Sequence, residues 1–185
     1  MKIIKRLPLL LLLGIGACST MTKTYFTADN RHQVEQKGIP LSKLQFYIDK
    51  DVELKRELAS RDAKVTSGKI KLENGKYVNI ILLKAGTAGI CTQTNRNSLD
   101  ISFENGDSKN LYFGVPERSG SNAVYSMQAD QWLHTFNNPE IGKITYDGDV
   151  YFMRFKGDRP KLLVMKSAKD KYEINKRVMS GRKIS

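Results

Sequence analysis

The feature that most constrains the fold of this chain is a series of short stretches in which apolar and polar residues alternate. Turn-forming residues stand between several of these stretches. An alternation of period two is typical of a β-strand with one buried face. Asn74 with Gly75, and Asp147 with Gly148, readily adopt the positive backbone angles of a type I′ turn between antiparallel strands. The sequence therefore predicts hairpins, whose paired stretches lie around residues 44–48 and 52–54, 70–72 and 77–80, 99–103 and 111–113, and 144–146 and 150–152.

Uninterrupted apolar runs predict further strands. Residues 80–83 are apolar at every position, as expected of a central strand that is covered on both faces. Between residues 129 and 139 the alternation fails, which predicts a connector or a short helical turn. The remaining predicted strands lie at residues 124–127, at residues 162–165 and around Tyr172, Ile174 and Val178.

A short helix is expected before the first strand. Thr27 belongs to the residue types that cap helices, and Gly38 supplies a stop after Gln36. The elements together predict an all-β fold, an antiparallel partly open barrel or a sandwich, built of successive hairpins with a short N-terminal helix. No change in composition marks a second domain, so we expect a single β-rich domain over residues 28–178 and a basic tail over residues 179–185.

The first residues have the composition of an export signal. Three basic residues precede an apolar run over residues 7–13. A helix of seven to ten apolar residues covers roughly 10–15 Å, whereas the hydrocarbon core of a bilayer is about 30 Å thick. The segment is therefore interpreted as a secretion signal peptide over residues 1–17.

The end of this segment resembles the lipobox of bacterial lipoproteins. Residues 15–17, Ile-Gly-Ala, stand directly before Cys18. The resemblance implies that Cys18 receives a diacylglyceryl group, becomes the first residue after cleavage, and carries acyl chains such as palmitate that anchor it in a membrane. Residues 18–27 would then form a lipidated tether. Because Ser19 and not an aspartate follows the cysteine, the family pattern implies the outer membrane of the cell envelope.

The charge of the chain favours acidic partners. The formal net charge of +12 falls to +9 without the three basic residues of the predicted signal peptide. We expect contact with the membrane through the covalent lipid, and with an envelope protein, an anionic lipid or a glycan. Nucleic acid is not expected, because export separates the chain from it.

Basic residues are concentrated at the C-terminal end. The last 25 residues carry a net charge of +6. Lysines at a sheet edge also discourage aggregation, so a solvated edge is one explanation and contact with an anionic surface is the other. The residues expected to make such a contact are Lys166, Lys169, Lys171, Lys176 and Arg177.

Residues for catalysis or metal binding do not cluster in the sequence. With Cys18 acylated, Cys91 is the remaining cysteine, and it follows apolar residues without an adjacent base, which predicts a buried thiol. His32 and His134 lie about a hundred residues apart, and no CxxC or HxxxH spacing occurs. We therefore expect no catalytic residue, no metal site and no cofactor. A cysteine peptidase would have to use Cys91 with His134.

Trp132 and Tyr125 are candidates for an exposed aromatic binding face, although aromatic residues in β-rich domains more often fill the core.

As a whole, the chain resembles the small outer-membrane lipoproteins of Bacteroidota-type bacteria in its lipobox, its residues 44–48 and 143–148, and its basic end. We expect a membrane-anchored, non-enzymatic binding or assembly module.

Two alternatives remain. A carrier of a lipid or small apolar ligand would need a cavity between its strands. A cell-wall-modifying enzyme is the second alternative. The residues that would line the carrier's cavity include Ile81, Leu83, Phe103 and Phe113.

Overall fold

A computed structural model describes residues 22–58, 69–73, 76–135, 138–155 and 157–165. The described residues form one α-helix, a short 3-10 turn and two sets of antiparallel strands. The helix is α1 (Ala28–Gln36), and the strands are β1 (Lys23–Tyr25), β2 (Gln45–Ile48), β3 (Val52–Leu58), β4 (Lys69–Glu73), β5 (Lys76–Leu83), β6 (Ala88–Thr94), β7 (Ser98–Ser102), β8 (Asn110–Gly114), β9 (Ser126–Met127), β10 (Gln131–Thr135), β11 (Asn138–Tyr146), β12 (Asp149–Arg154) and β13 (Leu162–Met165).

The strands belong to two open sheets that share one core. The seven-stranded sheet has the order β1-β13-β2-β6-β7-β8-β9, and the six-stranded sheet has the order β10-β11-β12-β3-β5-β4. One continuous cluster of buried side chains joins them, with Phe46 and Phe113 from the first sheet and Leu54, Ile144 and Met153 from the second. The predicted all-β class, an open barrel or sandwich with one short helix, is confirmed.

Three predicted hairpins are confirmed by the strand pairing. β4 pairs with β5, β7 with β8, and β11 with β12. Asp147 and Gly148 have φ angles of 53° and 79°, as a type I′ turn between β11 and β12 requires. Residues 74 and 75 lie outside the described residues. Local turn chemistry therefore predicted these pairings correctly.

The predicted hairpin between residues 44–48 and 52–54 is wrong. β2 pairs with β6 and β13 in one sheet, whereas β3 pairs with β5 and β12 in the other. Residues 49–51 carry the chain from one sheet to the other, and residues 84–87 carry it back between β5 and β6. The alternation correctly predicted one buried face for each strand, but it contains no information about which strand is the neighbour.

The two crossings are bonded to each other. The carboxylate of Asp51 accepts hydrogen bonds from the backbone N–H of Ala85 at 2.8 Å and from Nζ of Lys84 at 2.7 Å. These two donors hold the pKa of Asp51 below its ordinary value. Asp51 therefore ties together the two points at which the chain changes sheets.

The N-terminal helix is confirmed, but the predicted tether is wrong from Lys23 onward. Thr27 caps α1 through a reciprocal pair of side-chain bonds with Asn30. Lys23–Tyr25 pairs with β13, and Phe26 is buried with its ring centroid 5.1 Å from that of Phe46. Burial of an aromatic side chain and strand pairing outweigh the polar composition of this stretch.

Two other expectations are corrected. The connector or helical turn predicted between residues 129 and 139 is instead β10 and the start of β11. The run over residues 80–83 does lie between two strands, but Leu82 is exposed, so the strand is not covered on both faces. Pairing with neighbours produced these strands where the local pattern was ambiguous.

Several predictions lie outside the described residues. They concern the signal peptide, the acylation of Cys18, the strand around Tyr172 to Val178 and the basic tail. Within the described ranges, the structure contains no helix with the length and apolar character needed to cross a membrane.

Candidate functional site

Tyr125 does not belong to a binding face. Its side chain is 1% exposed, and its ring packs 5.3 Å from that of Phe26. The hydroxyl accepts a hydrogen bond of 3.0 Å from Nη1 of Arg31, which satisfies its polar end at the edge of the core. The prediction of an exposed aromatic face is therefore wrong for Tyr125, and core packing is its role.

Trp132 is half-buried on β10 and covered by an arginine. The Arg159 guanidinium lies 3.8 Å from the centre of the Trp132 ring, and it forms two bonds to the carboxylate of Glu140, at 2.7 and 2.9 Å. A Cβ at Gly142 would lie 3.0 Å from the Trp132 ring, so this glycine gives the indole its space. Trp132 therefore lies on the edge strand of the six-stranded sheet, and Arg159 covers its ring, so the ring is not free.

Cys91 and His134 lie on strands of different sheets. Cys91 is on β6 of the seven-stranded sheet, whereas His134 is on β10 at the far edge of the six-stranded sheet. The Cys91 thiol is buried, and burial raises its pKa, so the reactive thiolate is disfavoured. The predicted burial of Cys91 is confirmed.

Other chemistry-bearing side chains also stay apart. Within the described ranges, no three His, Cys, Asp or Glu side chains come close enough to hold a metal ion. Of the predicted site residues, Cys18, Lys166, Lys169, Lys171, Lys176 and Arg177 lie outside the residues that the structure describes.

A concave apolar surface lies on the side of the six-stranded sheet that faces away from the core; we call it the outer groove. It encloses about 880 Å³. Phe152 stands near its middle and is 42% exposed. Apolar side chains of four strands and charged side chains of β3 and β12 line the groove: Val78, Leu133, Ile141, Val150 and Phe152 with Glu53, Lys55, Glu57 and Arg154.

Strand register explains why these side chains share one face. Directly paired residues point to the same side of a sheet, and Phe152 pairs with Lys143 on β11 and with Lys55 on β3. The neighbours of Phe152 in sequence, Tyr151 and Met153, are 1% exposed and fill the core. β12 therefore has apolar side chains on both faces, and only its inner face is covered by the other sheet.

Three charged residues of the groove, Glu53, Lys55 and Glu57, are paired with other charged groups. Nζ of Lys55 lies 3.0 Å from the carboxylate of Glu53, and Nζ of Lys76 lies 2.8 Å from that of Glu57. Lys55 is directly paired with Phe152 on β12 and with Ile80 on β5, so the charged row of β3 runs between the apolar side chains of its two neighbouring strands.

A sequence signal for the outer groove was present. Residues 150–152 and 80–83 are apolar at consecutive positions, which places apolar side chains on both faces of a strand. For residues 80–83 we interpreted this pattern as a strand covered on both faces. An apolar outer face that lacks a cover produces the same pattern.

A second, smaller cavity opens between the sheets. It encloses about 180 Å³, and its lining includes Leu54, Ile81, Leu83 and Phe103. Of the four residues expected to line a carrier's cavity, the fourth, Phe113, is instead fully buried in the core. The cavity is smaller than the about 300–1,000 Å³ of typical ligand sites.

One polar contact borders this second cavity. The Tyr146 hydroxyl donates a hydrogen bond of 2.7 Å to the Glu104 carboxylate, and Nζ of Lys109 lies 3.3 Å from the same carboxylate. Burial is the largest cause that raises the pKa of Tyr146 far above its ordinary value, and the nearby Glu104 carboxylate raises it further. Tyr146 thus stays protonated, and its hydroxyl is committed to Glu104.

Comparison with known proteins found no family model, no curated protein and no solved structure that matches this chain.

Proposed function

We propose that this protein is a lipid-anchored, non-enzymatic binding module of the bacterial cell envelope, in the outer membrane. Cys18 is its acylation site, and an envelope protein is its partner. The observation that carries the binding role is the outer groove, where apolar side chains remain exposed on both sides of a row of charged side chains on β3. The anchoring role is supported by residues 1–18 of the sequence.

The chemistry of the outer groove favours a protein partner. Exposed apolar surfaces on soluble domains mark places where another molecule binds, and aromatic side chains contribute most of the binding energy at such places. Phe152 stands among Leu133, Ile141 and Val150, so a partner's apolar side chains would be enclosed around one aromatic ring. The charged row of β3 would restrict the partner's orientation.

Site-specific photo-cross-linking in living cells tests the binding role. A photoreactive phenylalanine analogue at position 152 should produce one defined cross-linked product. Position 112 is the matched control, because Tyr112 is 37% exposed on the outer face of the other sheet. A defined product at position 112 and none at position 152 would contradict binding at the outer groove.

Mass spectrometry tests the anchor. The N-terminal peptide of the mature protein should begin at Cys18 and carry the mass of its acyl chains. Cys18→Ser should release the protein from the membrane fraction. An unmodified Cys18, or a Cys18→Ser protein that remains equally membrane-bound, would contradict the anchor.

A ligand carrier is the second candidate, and the cavity between the sheets supports it. Three of its lining residues, Ile81, Leu83 and Phe103, are those that a carrier would need. Its volume of about 180 Å³ requires either a short apolar group or widening of the sheets. Protein purified from membranes should then contain a bound lipid that organic extraction releases, and Leu83→Trp should abolish it. Extracts without lipid would remove this candidate.

A further inference from the structure

A patch of tyrosine, apolar and lysine side chains lies on the outer face of the seven-stranded sheet, at the edge formed by β1. Tyr25, Leu163 and Tyr47 are directly paired on three neighbouring strands, so they share one face. The residues that alternate with them on β13 and β2, such as Val164 and Phe46, are buried in the core. The tyrosine row therefore faces outward. We call it, together with Lys23, Met165 and Ile90, the β1 patch.

The side chains of the β1 patch are amphipathic. Tyr25 is 46% exposed and Ile90 is 54% exposed. Nζ of Lys23 lies 3.8 Å from the centre of the Tyr47 ring, so the ammonium group of this lysine rests on the aromatic face. Tyrosine and lysine with an apolar neighbour are the side chains that suit the interface between lipid headgroups and acyl chains.

The β1 patch adjoins the place where the chain continues toward Cys18. Four residues lie between Cys18 and Lys23, so the two Cα atoms are at most about 18 Å apart in a fully extended chain. Lys23 pairs with Met165, the last residue of β13, so the two backbones are about 5 Å apart there. The basic C-terminal segment begins at the next residue, Lys166. The chain therefore continues toward Cys18 and toward the basic segment from two paired residues at the same end of the β1 patch.

We propose that the β1 patch rests on an anionic phospholipid surface, so that the protein lies with the outer face of its seven-stranded sheet toward the membrane. The inference rests on the proposed acylation of Cys18. The anchor holds the patch and the first basic residues at a high effective concentration beside the headgroups, so weak contacts are enough to orient the domain. Because the outer faces of two packed sheets point in opposite directions, the outer groove then faces away from the membrane and stays open to a partner.

Tryptophan fluorescence of the acylated full-length protein in vesicles tests this orientation. Trp132 is the single tryptophan of the chain, so Trp132→Phe provides a background without one. In that background, Tyr25→Trp reports on the β1 patch, and Phe152→Trp reports on the opposite face as the matched control. The vesicles contain phosphatidylglycerol and phosphatidylcholine with a spin-labelled lipid that quenches fluorescence.

We expect the quencher to reduce the Tyr25→Trp signal at least threefold more than the Phe152→Trp signal. Vesicles of phosphatidylcholine alone, or replacement of Lys166, Lys169 and Lys171 by glutamine, should reduce the difference at least twofold. Circular dichroism of each variant checks that it is folded.

The outcomes separate this inference from the proposed function. A protein that floats with the vesicles but shows equal quenching at both positions, or stronger quenching at position 152, contradicts the orientation alone. A protein that does not float contradicts the anchor, and the orientation with it. A Tyr25→Trp signal that responds to acidic outer-membrane proteins and not to vesicles assigns the patch to a protein partner and overturns the lipid surface.

Discussion

The outer faces of the two sheets have been completed in different ways. On the β6–β7–β8 part of the seven-stranded sheet, polar side chains bond to backbone carbonyls and to one another: the hydroxyl proton of Thr92 is shared between the Asp100 carbonyl and Asn110 Oδ1, at 3.1 and 2.9 Å. Ser102 Oγ donates to the Glu104 carbonyl at 2.6 Å. On the six-stranded sheet, the corresponding face has apolar side chains around Phe152. The polar groups of the first surface are satisfied by hydrogen bonds within it, whereas the second surface leaves apolar side chains exposed among the described residues.

The largest expected effect separates the shared core from the outer groove. Phe113→Ala removes a fully buried ring and should lower the free energy of unfolding by about 3–5 kcal/mol. Phe152→Ala removes a half-exposed ring and should cost less than about 1 kcal/mol. Urea denaturation followed by circular dichroism measures both. Similar losses for the two variants would show that Phe152 supports the fold, and the contrast between the faces would disappear.

The second prediction concerns partner binding. Phe152→Ala should weaken binding of the partner captured at position 152 by about 2 kcal/mol, roughly 30-fold in Kd, because an exposed aromatic residue in a binding groove is a typical hot spot. Tyr112→Ala, on the outer face of the seven-stranded sheet, should change Kd less than about threefold. Titration calorimetry with the purified partner measures this difference. Equal effects at the two positions would place the interface elsewhere.

The third prediction tests the hydrogen bonds of the polar face. Ser102 is buried, and Ser102→Ala leaves the Glu104 carbonyl without this donor, so it should cost about 1 kcal/mol. Ser108 is exposed and donates to Asp147 at 3.2 Å, so Ser108→Ala should cost less than about 0.5 kcal/mol. Thermal unfolding ranks the two variants. If Ser102→Ala is as mild as Ser108→Ala, the polar face does not depend on its internal bonds.

The smallest effect is a pH dependence of opposite sign at two carboxyl groups. Hydrogen bonds from Ala85 and Lys84 lower the pKa of Asp51, so its stabilising contribution is present above its ordinary pKa of about 4 and is lost as the pH falls below that value. Burial raises the pKa of Asp100, so protonation of Asp100 favours the folded state as the pH falls.

Thermal unfolding between pH 6 and pH 3 measures both contributions. Asp51→Asn should lose less stability on acidification than the unaltered protein does, because the stabilisation that ionised Asp51 contributes, and that acid removes, is absent from this variant. Asp100→Asn should lose more, because the compensating proton uptake is gone. Parallel pH profiles for the two variants would contradict these assignments.

Particular residues show how far sequence reasoning reached. Asp147 and Gly148 predicted the β11–β12 turn because turn conformation depends on two adjacent residues. The Thr27 cap predicted the start of α1 for the same local reason. The outer groove was missed, because an apolar outer face and a covered strand produce the same run of residues. Tyr125 was named as a surface candidate although it fills the core, since composition does not separate exposed from buried aromatic residues.

What the sequence by itself determined are properties set by neighbours along the chain: the all-β class, the turns, the helix cap, the buried thiol of Cys91 and the expectation of an acylated Cys18. Only the tertiary structure decided which strands are neighbours. It separated β2 from β3, although three residues join them, and paired β1 with β13 from the far end of the described chain. The alternation of apolar and polar residues shows that one face of a strand is buried, but it does not show which strand lies beside it. Any strand with one apolar face can contribute to a core between two sheets, so the pattern fits many different neighbours. The position of the outer groove and that of the β1 patch follow from those long-range pairings.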